Sequence, residues 1–299
     1  CNLANVRIND IDQYAADIDK ELSRIVLSGG DWLGINYDLV SKQAKVASKS
    51  ISKLRCSKEA IRPTMSAYQF AATVGLLFFC ASVQRSNIAS HFATMRFLRA
   101  FGADTAKYPN LWLAAVTIPE GVAKDLVAWI DEVLPNDPVP IFDDAPSVII
   151  TVDASAWGWG AIAMFSDTGA VQEIGKEWSP QDRAAYDVQK SVYAEPLAAY
   201  KALCHFVNPN AARKARMVIR VLTDNVAAVS CINAGYSPSF NVNRVAGLIK
   251  STFAGSELRA EHIAGRSNEA DPLSRGAGLQ IDGKHESVSH GVEARDPAA

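Results

Sequence analysis

Val148-Ile-Ile-Thr-Val-Asp-Ala-Ser-Ala-Trp-Gly-Trp-Gly-Ala-Ile-Ala-Met-Phe165 is the stretch that decides how this chain folds. Val148–Val152 is an unbroken β-branched run, the pattern of a central strand covered on both faces. Asp153 closes the run, and the glycines Gly158 and Gly160 lead into a second strand over Ala161–Phe165. A turn at Asp167–Gly169 leads to a third, Val171–Ile174. Beyond them, helices and strands alternate. The periodicity predicts a helix over 195–207 and a strand over Met217–Thr223. A helix from Asn225, stopped by Gly235, comes next, then one over 240–254 ending at Gly255. A fifth strand, Leu258–Ile263, and a last helix starting near Glu269 complete the pattern. Hairpin strands followed by alternating helix and strand describe an α/β fold, a mixed five-stranded sheet flanked by helices, over 147–275. From Gly276 to the end, over 276–299, composition and lack of periodicity predict a disordered tail.

Upstream, Leu134–Pro146 holds Pro135, Pro138, Pro140 and Pro146. Prolines remove backbone donors and favour extended chain, so 135–146 reads as a linker. Before it the chain reads as mostly helical. Leu22–Val26 ends a helix closed by Gly29 and Gly30, Trp32–Asp38 is a short strand and turn, and helices cover about 45–56, 66–83, 87–102 and 119–134. The apolar run Ala71–Val83 is shorter than the roughly 20 residues that span a bilayer, so a buried helix and no membrane partner are expected.

Hydrophobic residues make up 48% of the chain and charged residues 21%, enough apolar side chain for a substantial core. The cysteines Cys1, Cys56, Cys80, Cys204 and Cys231 are scattered without zinc-ligand spacing and read as reduced thiols of an intracellular protein. An initial Cys rather than Met suggests a piece of a longer polyprotein. The net charge of −2 conceals a basic strip in which Lys42, Lys45, Lys49, Lys53, Arg55, Lys58 and Arg62 face Glu59 alone. Lys45, Lys49 and Lys53 are candidate phosphate contacts, or simply a solvated helix face.

Four acids stand at places where chemistry is built. Asp153 and Asp224 each end a strand, the side on which open α/β sheets usually bind ligands. Glu195 precedes Pro196, which disfavours the α region and sets Glu195 at the N-terminal edge of its helix. Asp271 opens the last helix. Converging carboxylates repel, and one takes up a proton unless cations neutralise them. Hard divalent ions with oxygen ligands do so, and two of them can activate water and stabilise a leaving oxygen of a phosphodiester. Taken singly, each acid is as well explained as a capping or surface carboxylate.

Taken in order, the motifs resemble those of a known family. Asp153-Ala-Ser-Ala-Trp-Gly-Trp-Gly-Ala161 is similar to the first motif of retroelement ribonucleases H, and Ala194-Glu-Pro-Leu-Ala198 to the second, with Pro196 where the family commonly has Leu. Thr223-Asp-Asn-Val-Ala-Ala228 resembles the third, with Ile232-Asn-Ala-Gly235 beyond it. His262-Ile-Ala-Gly-Arg-Ser-Asn-Glu-Ala-Asp-Pro-Leu-Ser-Arg275 resembles the closing motif of reverse transcriptases of long-terminal-repeat (LTR) and DIRS-type elements. Between Asn268 and the Ala-Asp pair this chain has one residue where the family usually has two.

The resemblance implies a ribonuclease H that cuts the RNA strand of RNA–DNA hybrids during reverse transcription, with Asp153, Glu195, Asp224 and Asp271 ligating two Mg²⁺ (or Mn²⁺). Ser155, Gly158, Gly160 and Asn225 would hold the hybrid, and His262 would assist proton transfer or product release. Upstream, Asp31–Asp38 looks like the hairpin after a polymerase palm. That likeness makes 1–44 the end of a palm and 45–134 a thumb- or connection-like region, with fingers and palm of the same polyprotein as partner. No palm motif with paired aspartates is present, so no polymerase activity is expected from this chain alone. Competing readings are a catalytically inactive remnant that binds nucleic acid, and a transposase or integrase of the same fold class.

Overall fold

The computed structural model of the chain describes residues 29–141 and 145–276. The helix expected to end over Leu22–Val26 and the tail expected beyond Gly276 lie outside the described residues. Gly30–Trp32 (β1) and Ile35–Asp38 (β2) form a hairpin, and Gln43–Val46 (β3) pairs antiparallel with β2. This corrects the helix expected over 45–56, which starts only at Ser48 (α1, Ser48–Glu59). Val46 is the reason. It is fully buried, and the side chain of Asn136 holds both of its backbone groups. Val46 N–H donates to Asn136 Oδ1 at 2.9 Å, and Asn136 Nδ2 donates to the Val46 carbonyl at 2.8 Å. A side-chain amide thus satisfies the backbone as a neighbouring strand would. Asn136 has φ 54, a left-handed conformation that asparagine tolerates.

Thr64–Ser66 (β4) leads into Ala67–Gln84 (α2), capped by Ser66 and Gln69 bonding each other's backbone N–H reciprocally. By length and composition α2 is apolar enough to cross a membrane, but Phe70, Val74, Leu77 and Cys80 are buried in a core shared with Leu54. A 3₁₀ turn at Ile88–His91 precedes Phe92–Lys107 (α3). Ala115–Thr117 (β5) pairs with β4, and Glu120–Val133 (α4) adds Leu126, Trp129 and Ile130 to the same core. The proline-rich seam then turns back on the first sheet: Val139–Pro140 (β6) pairs with β3, and Ile141 N–H donates to the Lys42 carbonyl. Extended conformation was expected there; strand pairing was not.

His91 ties the start of α3 to α4. It stacks on Trp129 with ring centroids 4.8 Å apart, and each ring nitrogen lies 3.1 Å from a carboxylate, Nδ1 from Asp125 and Nε2 from Glu132. Burial opposes its charge, but the two carboxylates outweigh burial and lift its pKa to about 9. The contribution of this pair to stability is therefore complete below His91's ordinary value of 6.5 and disappears as pH rises through about 9. His91→Ala should cost on the order of 3 kcal/mol at neutral pH, because it strands Asp125 in a half-buried site. Denaturant unfolding checks this, and a deficit that does not shrink in alkali would show that the loss is packing alone.

The second half is the α/β unit. Val148–Ala154 (β7), Gly158–Phe165 (β8) and Val171–Glu177 (β9) form an antiparallel meander. Pro180–Ala185 (α5), Ser191–Phe206 (α6) and Pro209–Ala215 (α7) follow, of which α5 and α7 were not anticipated. Val218–Thr223 (β10) joins β7 in parallel. Val226–Ala234 (α8) and Phe240–Thr252 (α9) lead to Glu257–His262 (β11), parallel to β10. Asp271–Ser274 (α10) is a single turn. The sheet order is β11-β10-β7-β8-β9, the expected mixed five-stranded sheet flanked by helices. Ile150, Val152, Ala161, Ile219 and Val221 meet Leu197, Leu203, Ile249 and Phe253 in its core. Asn87 Nδ2 donates to the Gly247 carbonyl, Asn243 Nδ2 donates to the Ala89 carbonyl and Phe92 packs edge-on to Phe240, joining the two halves.

Candidate active site

Three strongly separated elements deliver three carboxylates to one sheet edge. Asp153 lies at the end of β7, Asp224 just past the end of β10, and Glu195 on α6, the helix that packs across β7. One oxygen from each lies within 4.8 Å of the others. Asp153 and Glu195 are each only 4% exposed. Adjacent parallel strands β7 and β10 end together, which is why residues so far apart in sequence become neighbours.

Glu195 sits one turn inside α6, not at its N-terminal edge as proline's effect on the preceding residue suggested. Pro196 cannot donate to a carbonyl of the preceding turn, a loss worth about 3 kcal/mol in a helix interior. Burial offsets it: Ala194, Pro196, Leu197, Ala198 and Ala199 are all buried with Glu195. The helix aims Glu195 at the strand end, where the Ala154 N–H donates to its Oε1 at 3.3 Å. Its Oε2 is buried without a hydrogen-bond partner. Burial first, then the charges of Asp153 and Asp224, push its pKa up to about 8. Burial likewise raises Asp153, helped by Asp271 and Asp224 and opposed by a hydrogen bond from Ser274. Orphaned lone pairs and mutually repelling carboxylates form a donor set that suits hard divalent cations such as Mg²⁺.

Asp271, at the first position of α10, is close enough to raise Asp153 electrostatically but is not one of the three clustered acids. Arg275, one turn on, holds its Oδ1 through Nε and Nη2 at 2.9 and 2.8 Å. Two other residues anchor Asp153 directly. Asn268, 5% exposed, donates from Nδ2 to Asp153 Oδ1 at 3.0 Å and to the Val152 carbonyl, and the Ser274 hydroxyl donates to Asp153 Oδ2. Sequence reasoning had not assigned either residue a role. Their signal was there, in the closing motif that carries both, but the shortened spacing after Asn268 hid its register. Gly265 is the other omission, since a Cβ there would lie 2.8 Å from Asp224 Oδ2.

Ser155, Gly158, Gly160 and Asn225 make contacts within the framework around the cluster. Ser155 Oγ donates to the Ser274 carbonyl and accepts from the N–H groups of Trp157 and Gly158, which ties the β7–β8 turn to α10. Gly158 and Gly160 permit close approach: a Cβ on Gly158 would stand 2.3 Å from the Lys176 carbonyl oxygen, and one on Gly160 would stand 2.5 Å from Leu273 Cβ. Asn225 caps α8 by accepting from the Ala228 N–H. His262 is exposed at the end of β11, with Nε2 3.0 Å from the Asp224 carbonyl rather than its carboxylate. Lys45 lies on β3, while Lys49 and Lys53 line a groove between α1 and α2; none belongs to the acidic cluster.

Gly160→Ala should push α10 off β8, costing about 1–3 kcal/mol by overpacking and displacing Ser274 and Asp271 together. A thermal melt measures the first effect. A crystal structure of the variant with Asp153 and Ser274 still bonded would refute the second.

No protein-family model and no curated protein matches the sequence. Among solved structures the chain is similar to the N-terminal RNase H domain of a Mycobacterium tuberculosis protein, at 17% identity over 44% of this chain and 97% of that one, with a TM-score of 0.34. It is similar to RNase H1 of the halophilic archaeon Halobacterium salinarum, at 16% identity over 44% of this chain and 94% of that one, with a TM-score of 0.28. It is also similar to the foamy viral protease-reverse transcriptase in complex with an RNA/DNA hybrid, at 8% identity and a TM-score of 0.31. That match covers 96% of this chain and 36% of the viral one.

Proposed function

We propose that the chain is a metal-dependent ribonuclease H that cleaves the RNA strand of RNA–DNA hybrids. The observation that carries this reading is the cluster of Asp153, Glu195 and Asp224 within 4.8 Å, with Glu195 Oε2 buried and unpartnered. Asp153, Glu195 and Asp224, with Asp271 alongside, would hold a pair of Mg²⁺ or Mn²⁺ ions. Such ions supply an activated water and stabilise the leaving oxygen of a phosphodiester.

The chain's own residues prepare that chemistry. Asn268 and Ser274 fix both oxygens of Asp153, so its orientation is set before any ligand arrives. Gly265 leaves Asp224 room for its carboxylate. Arg275 neutralises Asp271 until a cation competes for it. Exposed His262 stands beside Asp224 at the edge of the site, where a proton carrier is useful. Selectivity for the hybrid would come from 2′-hydroxyl contacts and groove shape rather than base sequence.

The four ordered motifs support a retroelement reverse transcriptase as the source. On that reading residues 45–134 act as a thumb- or connection-like region, 135–146 join it to the nuclease, and a polymerase palm of the same intracellular polyprotein is the partner. Lys45, Lys49 and Lys53 would then touch the phosphate backbone.

The test is cleavage of a hybrid labelled on its RNA strand. Cleavage should appear with Mg²⁺ or Mn²⁺, vanish in chelator and spare duplex DNA. Calorimetric titration showing no divalent-ion binding would favour an inactive remnant.

A further inference from the structure

The acidic edge of the sheet carries an apolar rim. Each of the three clustered acids has a large hydrophobic side chain close by in sequence that is exposed to solvent. Trp157 stands four residues after Asp153 in the β7–β8 turn, Val192 three residues before Glu195 on α6, and Val226 two residues after Asp224 at the start of α8. They are 52%, 39% and 67% exposed. One exposed apolar side chain is ordinary on a protein surface; one beside each of three converging carboxylates is a pattern.

Trp157 is the largest of the three, and its turn is fastened at many points. The Trp157 N–H donates to Ser155 Oγ at 3.1 Å. Three successive carbonyls of the turn are also bonded. That of Ser155 accepts from Trp178 Nε1 at 2.8 Å, and that of Ala156 from Arg183 Nη1 and Gln189 Nε2. That of Trp157 accepts from Arg183 Nη2 at 3.0 Å and from the Trp178 N–H. A turn held this way displays its indole in a fixed place, so that little freedom is lost when a ligand covers it. The cations nearby are engaged within the chain: Arg183 with those carbonyls and Glu177, Lys190 with Asp187, and Arg275 with Asp271. The rim thus offers a ligand hydrocarbon and an aromatic face.

We propose that this rim packs against the sugars of an RNA–DNA duplex, with Trp157 as its anchor. In a paired duplex the base faces are hidden, and a wide, shallow minor groove shows sugars and base edges instead. The C–H face of a sugar matches an indole or a valine, and packing against it needs no charge. That suits an edge built of carboxylates, which repels phosphate until cations neutralise it. The proposal rests on the nuclease reading for the identity of the ligand and adds the residue that grips it.

The experiment measures binding of the whole chain to a dye-labelled RNA–DNA hybrid by fluorescence anisotropy in chelator, where nothing is cut. Trp157→Ala should weaken binding about tenfold, a loss of about 1.4 kcal/mol. The loss should be the same at every salt concentration, because no phosphate contact is removed. Trp157→Phe keeps an aromatic face and should bind within about threefold of wild type. Hybrid should shield wild-type tryptophan emission from acrylamide, and Trp157→Phe should lose most of that shielding. Wild-type affinity in Trp157→Ala, a flatter salt dependence in that variant, or full shielding in Trp157→Phe overturns the proposal. An equal loss of affinity for the isolated strands also overturns it, by making unpaired bases the target. The two readings fail separately. A chain that grips hybrid through Trp157 but never cuts it with Mg²⁺ loses the nuclease reading alone, whereas a cutting chain indifferent to Trp157→Ala loses only this one.

Discussion

Asp153→Asn should lower hybrid cleavage by at least about 10³-fold, equivalent to roughly 4 kcal/mol of transition-state stabilisation. The substitution is nearly isosteric, and the surrounding contacts can adapt to it. Asn268 can still donate to the remaining oxygen, and the Ser274 hydroxyl can turn to accept from the new amide. The fold should therefore persist, and loss of one of the converging negative charges should leave the Tm unchanged or higher. Single-turnover cleavage with circular dichroism as a folding control measures both effects. A variant cutting within about tenfold of wild type would remove Asp153 from the chemistry, and the nuclease reading with it.

Glu195→Gln should convert a pH-sensitive protein into a less sensitive one. In the metal-free chain, burial and the neighbouring Asp153 and Asp224 raise the Glu195 pKa from 4.5 to about 8. A raised carboxyl pKa means that the folded state favours the protonated form. Its stabilising contribution is complete below about 4.5 and is lost as pH rises through about 8, a fall on the order of 4 kcal/mol. Against a typical total of about 5–15 kcal/mol this is a large share. Divalent ions should restore the loss by binding the ionised cluster, with a gain that rises as the logarithm of their concentration once the site is filled. Glutamine cannot ionise, so the variant in chelator should be the more stable chain in mild alkali and should respond less to Mg²⁺. His91 sheds stability over a neighbouring range, but equally in both chains, so the difference between them isolates Glu195. Identical profiles of denaturation midpoint against pH in chelator would refute the coupling.

Much of the site was legible because strand ends are legible. Val148–Val152 is β-branched without interruption, so Asp153 had to stand at a strand terminus; the same holds for Asp224 after Met217–Thr223. The parts that could not be read depended on tertiary contacts. Nothing local shows that Asn136 would hold Val46 in a strand, because the two meet only after the seam has folded back. The placement of Glu195 misled for a related reason: proline's local preference was outweighed by the burial of a whole helix face against β7. At Gly158 and Gly160 no local pattern encodes the close approach of Lys176 and Leu273, which the sheet and α10 bring against their backbones.

The single turn of α10 bears on how the molecule behaves when warmed. Four residues cannot sustain a helix by themselves, since nucleation alone is unfavourable. Asp271 and Ser274 therefore owe their positions to the sheet beneath them, against which Ala270 and Ser274 are buried and Leu273 is packed over Gly160. Were it to detach, Asp153 would lose the Ser274 hydroxyl that fixes its Oδ2. On the proposed nuclease reading, opening of this turn would end cleavage before the core unfolds, so activity should be lost at or below the temperature of global unfolding.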